Sequence, residues 1–571
     1  MKYLNKISLL FAFMFIGFSC DLTDLDQLTN PNAVTAENAD VDLYFNEIQV
    51  NFASYFGGTQ STGMQLARMT SMFGNNYQAA YTPNGFNWRW NVAYAAIFPD
   101  IDALIEAAEP KKQFVHIGAV KILKAYVLQS LVDTFGNVPY SEAFQGVDLP
   151  SPKADDASAL YTVCETLLTE AIAHLNDAAA VGTPTIDIFY GGDKAKWITL
   201  ANTLKFRLAL NKGDNAGVSA AISAGVIDSD DENFVFQYGS NRSNPNSRHP
   251  WYSGAYEQGS WSYISNYYMW EFFEEKNVDD PRRRFYFKRQ DLNAAGEDQF
   301  TLDCVTSDRP THYLQYTNAY GKAAEWPFCL ASNTTHINPA NARGYWGRDH
   351  GNNDGIPPDG RKRTAPGIYP GGGMYDTGVS ATGENEGHTQ YSGTLGAGGD
   401  GIQPILTAAM VDYMRAEAAL TSGTGEDAKA LLGTGISKSM YYVKSFSEGI
   451  GTVPSFMDNT STPAIDKYKR NVDNYIGEVN TAYDAATADG KLNIVVKEFR
   501  LALWGNGNEA WNAMRRTGKP NIDLQRAREA DHGDFPRLFP YPSDYVNLNA
   551  NATQQAMTTT VFWDTNGGSL R

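Results

Sequence analysis

The chain has 571 residues, a formal net charge of −18, and 43% hydrophobic against 19% charged residues. That composition allows a large core and excludes a disordered polymer. Its acidic residues, spread along the whole length, repel nucleic-acid phosphates, so no nucleic-acid partner is expected. Aromatics are abundant, at 11 Trp, 32 Tyr and 29 Phe. Many fall in Gly- and Asn-rich stretches instead of helical stripes, which predicts that some face solvent or a ligand.

The first twenty residues read as an export signal. Lys2 and Lys6 precede an apolar run over 7–18, followed by Gly17-Phe18-Ser19-Cys20. A basic start, an apolar middle and small residues before a cysteine are the order of a cleaved signal. The run is too short to cross roughly 30 Å of hydrocarbon as a helix. An ordinary signal peptide with an incidental cysteine, or an anchor helix, are the alternatives. The expectation is a lipoprotein signal over 1–19, lipid on Cys20 and a polar tether over 20–36. The remainder, 37–571, reads as one domain.

Periodicity of 3.6 residues predicts helices over roughly 88–109, 114–135, 157–179 and 194–212. In the second, Ile117, Val120, Ile122, Leu123, Tyr126, Val127 and Leu131 form a broad apolar stripe that stops at Gly136. Asp155-Asp156 and Asp193 are placed to cap the third and fourth. After Gly213 the helical signal weakens. From about 226 to 402 the texture is loop-rich, with short strands expected at 234–236 and 284–288 and turn residues at 371–373 and 396–401. Helices resume at about 404–421, 425–445, 464–486 and 490–514, with Pro404 suited to a first turn. The tail 535–571 is expected to wrap the surface. Paired helices on either side of an insertion suggest tetratricopeptide-like repeats. The predicted fold is mainly α: a helical-repeat solenoid (about 88–212 and 404–514) carrying a loop-rich, partly β ligand-binding insertion (about 226–402).

Of four cysteines, Cys164 reads as a small buried hydrophobe. Cys304 and Cys329 flank a loop and are expected to form a disulfide in an oxidising compartment. The run Arg282-Arg283-Arg284 reads as a salt-bridging or solvated face.

No metalloprotease, Walker A or nucleophile-elbow motif occurs. Gly433-Thr434-Gly435-Ile436-Ser437-Lys438-Ser439 only loosely resembles a phosphate loop, and Gly396-Ala397-Gly398-Gly399-Asp400-Gly401 reads as a flexible loop without a preceding strand. The 8 histidines are scattered without ligand spacing. The acidic stretch 349–359 departs from an EF-hand at both ends, leaving turn-forming residues or an irregular calcium site. No catalytic residue, metal ligand or cofactor is predicted. What stands out is aromatic and polar together: Trp251, Tyr252, Tyr256, Trp261, Tyr263, Tyr345, Trp346, Arg348 and Asp349. Flat rings pack on sugar C–H faces while Arg and Asp bond hydroxyls. The predicted ligand residues are Trp251, Tyr256, Trp261, Tyr345, Trp346, Arg348 and Asp349; the alternative is that these rings pack loops onto the solenoid.

Four stretches resemble the SusD/RagB family of outer-membrane nutrient-binding lipoproteins, in its SusD-like branch. They are Ala125-Tyr126-Val127-Leu128 through Asp133-Thr134-Phe135-Gly136-Asn137-Val138-Pro139-Tyr140-Ser141-Glu142-Ala143, then Lys196-Trp197 through Lys205-Phe206-Arg207-Leu208-Ala209. The others are Gly347-Arg348-Asp349-His350-Gly351 with Asp354-Gly355-Ile356-Pro357-Pro358-Asp359, and Gly507-Asn508-Glu509-Ala510-Trp511 with Arg515-Arg516-Thr517-Gly518-Lys519-Pro520. The resemblance implies four tetratricopeptide-like units and a place on the outer face of the outer membrane. It also implies a non-catalytic role: capturing oligosaccharides, or in some members peptides, and passing them to a TonB-dependent, SusC-like transporter. The helical motifs are implied to be scaffold. Asp21, Asp24 and Asp26 are implied to assist surface export. A glycosidase hidden in the insertion is the remaining alternative.

Overall fold

The computed structural model describes residues 40–72, 74–259, 261–273, 275–290, 320, 344–345, 347–352, 363–378, 393–520, 524, 527, 531–566 and 570. Cys20, Cys304, Cys329, Trp346 and most of the acidic stretch 349–359 lie outside them, as do the tether and the acids after Cys20.

The chain opens with a helix that the periodicity scan passed over. In α1, Val41–Leu66, the side chain of Asp40 accepts from the amide of Asp42, and Phe45, Ile48, Phe52 and Phe56 turn one stripe inward. Its glycines break up the stripe and hide it from a sequence reading. The predicted 88–109 helix is a continuous helical run: Asn87–Asn91, a wide turn over Val92–Ile97, and α2, Phe98–Ala108. Next, α3, Phe114–Phe135, is the predicted helix to the residue, and it ends at Gly136 with φ 75°. It is long and apolar enough to cross a membrane, yet nearly all of it is buried inside the protein. Its burial is all round because α1, α2 and the next two helices pack on it. Asp156 caps α4, Ala157–Asn176, and Asp193 caps α5, Lys194–Lys212. A further short helix, α6, Asn215–Ala224, follows where the signal had weakened, capped by Asp214. α3, α4, α5 and α6 each pack on the next. Cys164 is buried in that stack as a free thiol.

The middle of the chain is sparse in regular structure. β1, Phe234–Gln237, appears where expected. α7, Asn266–Phe273, is wholly buried. The expected strand at 284–288 is half realised: Arg283–Tyr286 is a helical turn and only β2, Phe287–Lys288, is extended, pairing with β3, Ala365–Pro366. Of the triple arginine, Arg282 and Arg283 are salt-bridging and buried, and Arg284 is half-buried. Arg282 is buried against Asp280 at 2.6 Å, and buried Arg283 pairs with Asp279 at 2.7 Å. Residues 396–401 are not a loose loop. The amides of Ala397 and Gly399 donate to the carbonyls of Gly373 and Gly372 at 3.1 and 3.0 Å. A Cβ on Gly372 would lie 2.6 Å from the Asp400 nitrogen, so two backbones lock where only glycine fits.

β4, Ile402–Leu406, corrects the reading of Pro404. This proline sits opposite Val235 of β1, and the helix begins later, under Thr407. In a two-stranded sheet an edge always exists, so a proline that donates no hydrogen bond is tolerated. Then come α8, Ala408–Thr421, α9, Ala428–Ile450, α10, Lys467–Ala485, and α11, Ala488–Ala502. α8 packs on α9 and α11, and α9 on α10. Residues 433–439 fall inside α9, so they form no phosphate loop. The predicted 490–514 helix is two: Gly505, at φ 101°, turns the chain before α12, Gly507–Thr517.

α12 joins the two helical stacks by crossing α1. The crossing is glycine on glycine: a Cβ at Gly63 would lie 2.1 Å from the Gly507 carbonyl oxygen. The tail does more than wrap the surface. Phe539 packs on Phe86, Tyr81 and Trp511, and Tyr541 on Trp90 and Phe135, so the last residues complete the core.

Candidate ligand-binding face

His249 accepts from the amide of Trp251 at 3.2 Å and so caps the short helix Pro250–Tyr252. That turn aims the Trp251 ring at two other indoles, Trp261 at 5.1 Å and Trp504 at 5.3 Å between centroids. Trp251 is buried and Trp261 half-buried. Trp504, wholly buried, is the floor under both, and Tyr268 and Tyr286 stack on it in turn. Toward α1, the line continues through His249, which meets Trp251 at 5.2 Å and Tyr238 at 4.8 Å. Burial holds the His249 imidazole down to about 3, so it is a neutral member of this line. Burial likewise raises the Tyr238 phenol.

Tyr238 then meets α1 at its glycine pair. A Cβ on Gly57 would lie 3.6 Å from the Tyr238 hydroxyl and 3.4 Å from Gln403 Oε1. A Cβ on Gly58 would fall 2.2 Å from the ring of Trp88. Trp88 therefore lies directly on a bare helix surface, and it is 46% exposed. A glycine inside a helix costs about 1 kcal/mol relative to alanine, so the placement of Gly58 under an exposed indole points to that indole. The result is a row of rings, Tyr238, His249, Trp251 and Trp261, that reaches α1 at Gly57, with Trp88 set against the next residue, Gly58; its half-buried members and the exposed Trp88 are suited to stacking on flat apolar ligand faces.

Of the other predicted ligand residues, Trp346 lies outside the described residues and the remaining four lie inside the protein. Tyr256 donates from its hydroxyl to the Pro366 carbonyl at 2.7 Å, accepts from the Met374 amide at 2.9 Å, and stacks on Tyr252. Tyr345 is fully buried, stacked on Phe273, and donates to Asp376 at 3.0 Å. Arg348 bridges to Ser265 through the backbone and lies over the Tyr263 ring at 5.1 Å. The Asp349 carboxylate accepts from Asn266 at 3.2 Å, and its carbonyl accepts from Ser71 at 2.8 Å. Within the insertion, Tyr345, Arg348 and Asp349 fasten the 344–352 segment to α7 and its flanks, and Tyr256 fastens the 250–258 segment to 366–374. The structure thus brings Trp251 and Trp261 together and sets Tyr256, Tyr345, Arg348 and Asp349 in packing roles. It adds Trp88, Tyr238 and Trp504, which the sequence reading had absorbed into helices or left unremarked; the Gly57-Gly58 pair was the available signal for Trp88. Among the described residues no group of three or more His, Cys, Asp or Glu is arranged to hold a metal ion.

Comparison with known proteins agrees with this architecture. A family profile described as "Starch-binding associating with outer membrane" matches residues 31–328, and one described as "Susd and RagB outer membrane lipoprotein" matches 374–570. No curated protein matches the sequence. Among solved structures, a chitin-binding protein shares 18% identity over 92% of this chain and 100% of its own, with a TM-score of 0.62. A chitin-binding SusD homologue from Flavobacterium johnsoniae shares 17% over 92% and 99%, at 0.58. A SusD-like protein from Bacteroides thetaiotaomicron shares 19% over 92% and 99%, at 0.61. Together with the helical stacks described above, these matches place the chain in the SusD-like family of outer-membrane lipoproteins, with its tetratricopeptide-like helical fold.

Proposed function

We propose that this protein is a non-catalytic, lipid-anchored glycan-binding protein of the cell surface. It captures oligosaccharides on the aromatic row and delivers them to a TonB-dependent, SusC-like transporter. The observation that carries the glycan reading is Trp88, a 46% exposed indole set against Gly58 of α1, next to the residue where the row of rings reaches that helix. A sugar presents one flat C–H face, which such a ring covers, and its hydroxyls remain bonded to water or to polar neighbours. Family membership supports the rest: both matched descriptions name the outer membrane, and one names starch binding. Cys20 is the proposed lipid site, followed by a polar tether that holds the domain beside its transporter.

The test is calorimetry of the mature chain against a panel of plant, algal and microbial oligosaccharides and a matched panel of peptides. Saccharide binding that weakens about tenfold in Trp88→Ala, equivalent to ~1.4 kcal/mol, is the expected result. Peptide binding without saccharide binding overturns the glycan reading. Saccharide turnover abolished by changing a single carboxylate overturns the non-catalytic one.

A further inference from the structure

Away from the aromatic row, the ends of α5, α8 and α12 and the tail leave a groove of about 480 Å³ between the two helical stacks. This lies within the range of small-ligand sites, about 300–1,000 Å³. Arg516 spans the seam beneath it. Its guanidinium pairs with Glu417 of α8 at 2.6 and 2.8 Å and donates to Asn211 of α5 at 2.6 Å. The other lining cation, Lys212, is paired with Glu165 and Asp214. The groove's charges are therefore matched in place, and an ionic ligand gains little from them. It also presents an apolar ring: Phe562 is 39% exposed. Tyr161 backs that ring edge-on at 4.9 Å and is itself bonded to Asp133 and Asn211. Around it, exposed Asn215, Thr421 and Thr565 and half-buried Ser422 offer uncharged polar groups.

An exposed ring, neutral polar groups and cancelled charges select a neutral, hydroxyl-rich ligand with an apolar face. We propose that this seam is a second carbohydrate subsite, weaker than the aromatic row, with Phe562 as its stacking platform. The proposal takes its ligand class from the glycan reading above and its location from the groove. A sugar bound there touches both helical stacks at once, so occupancy couples them.

The experiment is titration of the mature chain with maltotriose and chitotriose, read by calorimetry and saturation-transfer NMR, in the wild type, Phe562→Ala, Ser422→Arg and Trp88→Ala. Ser422→Arg fills the groove without touching the ring, so a folding defect in one seam variant leaves the other informative. The expected result is two classes of site in the wild type. The seam variants weaken the second class about tenfold and leave the first, whereas Trp88→Ala does the reverse. Wild-type binding in both seam variants overturns the subsite and leaves the first reading standing. Binding sensitive to the seam variants alone overturns the aromatic row instead. Absence of saccharide binding in the wild type overturns both.

Discussion

Asp133, Arg207 and Glu509 come from three of the family stretches and meet where water does not reach. Arg207 pairs with Glu509 at 2.7 Å and Asp133 at 3.9 Å, all three nearly fully buried. Asp133 also accepts from Asn512 at 2.8 Å and from the Trp563 indole at 3.2 Å. Burial raises the Asp133 carboxyl although Arg207 and Arg515 oppose the rise. Such motifs are scaffold: they hold α3, α5, α12 and the tail together. Removing one partner of a buried pair strands the other, at about 3–5 kcal/mol. Arg207→Met is expected to lose that much in urea unfolding, far more than any change at Trp88. His249 supplies a pH dependence of defined sign. Its folded value, about 3, lies below the ordinary 6.5, so the unfolded chain takes up the proton first. The stability it contributes is complete above about pH 6.5 and is lost as pH falls toward about 3. In His249→Gln, the fall of Tm across that window is expected to be shallower than in the wild type. Ligand binding on the row, free of a titrating imidazole, is expected to stay flat from about pH 5 to 8.

α1 sets two glycines in opposed roles, five residues apart. At Gly63 a side chain collides with the α12 backbone, which cannot move without opening the crossing. Gly63→Ala is expected to cost several kcal/mol, as overpacking does at its upper end, about 3, measured by denaturant midpoint. At Gly58 the obstacle is the Trp88 ring, which is exposed and free to swing away. Gly58→Ala is expected to leave stability equal or up by as much as about 1 kcal/mol from helix propensity, while lowering saccharide affinity as much as Trp88→Ala. A large stability loss in Gly58→Ala would show the platform to be structural instead. The same helix shows what was legible in the chain. α3, α4 and α5 announced themselves by stripe and cap, because one continuous apolar face needs no partner to be recognised. α1 did not, since its glycines serve contacts made by Trp88 and Gly507 from far along the chain. Pro404 misled because a first helical turn and an edge strand accept proline equally. The break at Trp504 was hidden because apolar residues continue through it at helical spacing. Of the residues named as ligand contacts, Trp251 and Trp261 come together, 5.1 Å apart. Burial sorts the rest, and burial of a ring in a loop depends on which distant segment lies over it, as Pro366 does over Tyr256.

At the scale of the molecule, the two helical stacks, the crossing of α1 by α12 and the seam groove make one body whose proposed work is to hold a sugar beside a barrel. The proposed tether is expected to matter to that work more than to folding. Cys20→Ala is expected to yield a protein with an unchanged melting temperature that no longer fractionates with the outer membrane and fails to support uptake. Retention on intact cells with normal uptake would remove the anchor from the account.

The tail carries a consequence for when folding ends. Trp563 reaches Asp133, and Asp564 pairs with Arg537, itself accepting from Arg515 on α12. The first third of the chain is therefore short of a partner until the distant segment around Trp563 has been made, and such distant pairings form late. For a protein that we propose crosses one membrane as an extended thread before reaching another, this wiring is a timer: a chain still being threaded lacks the segment that would close it.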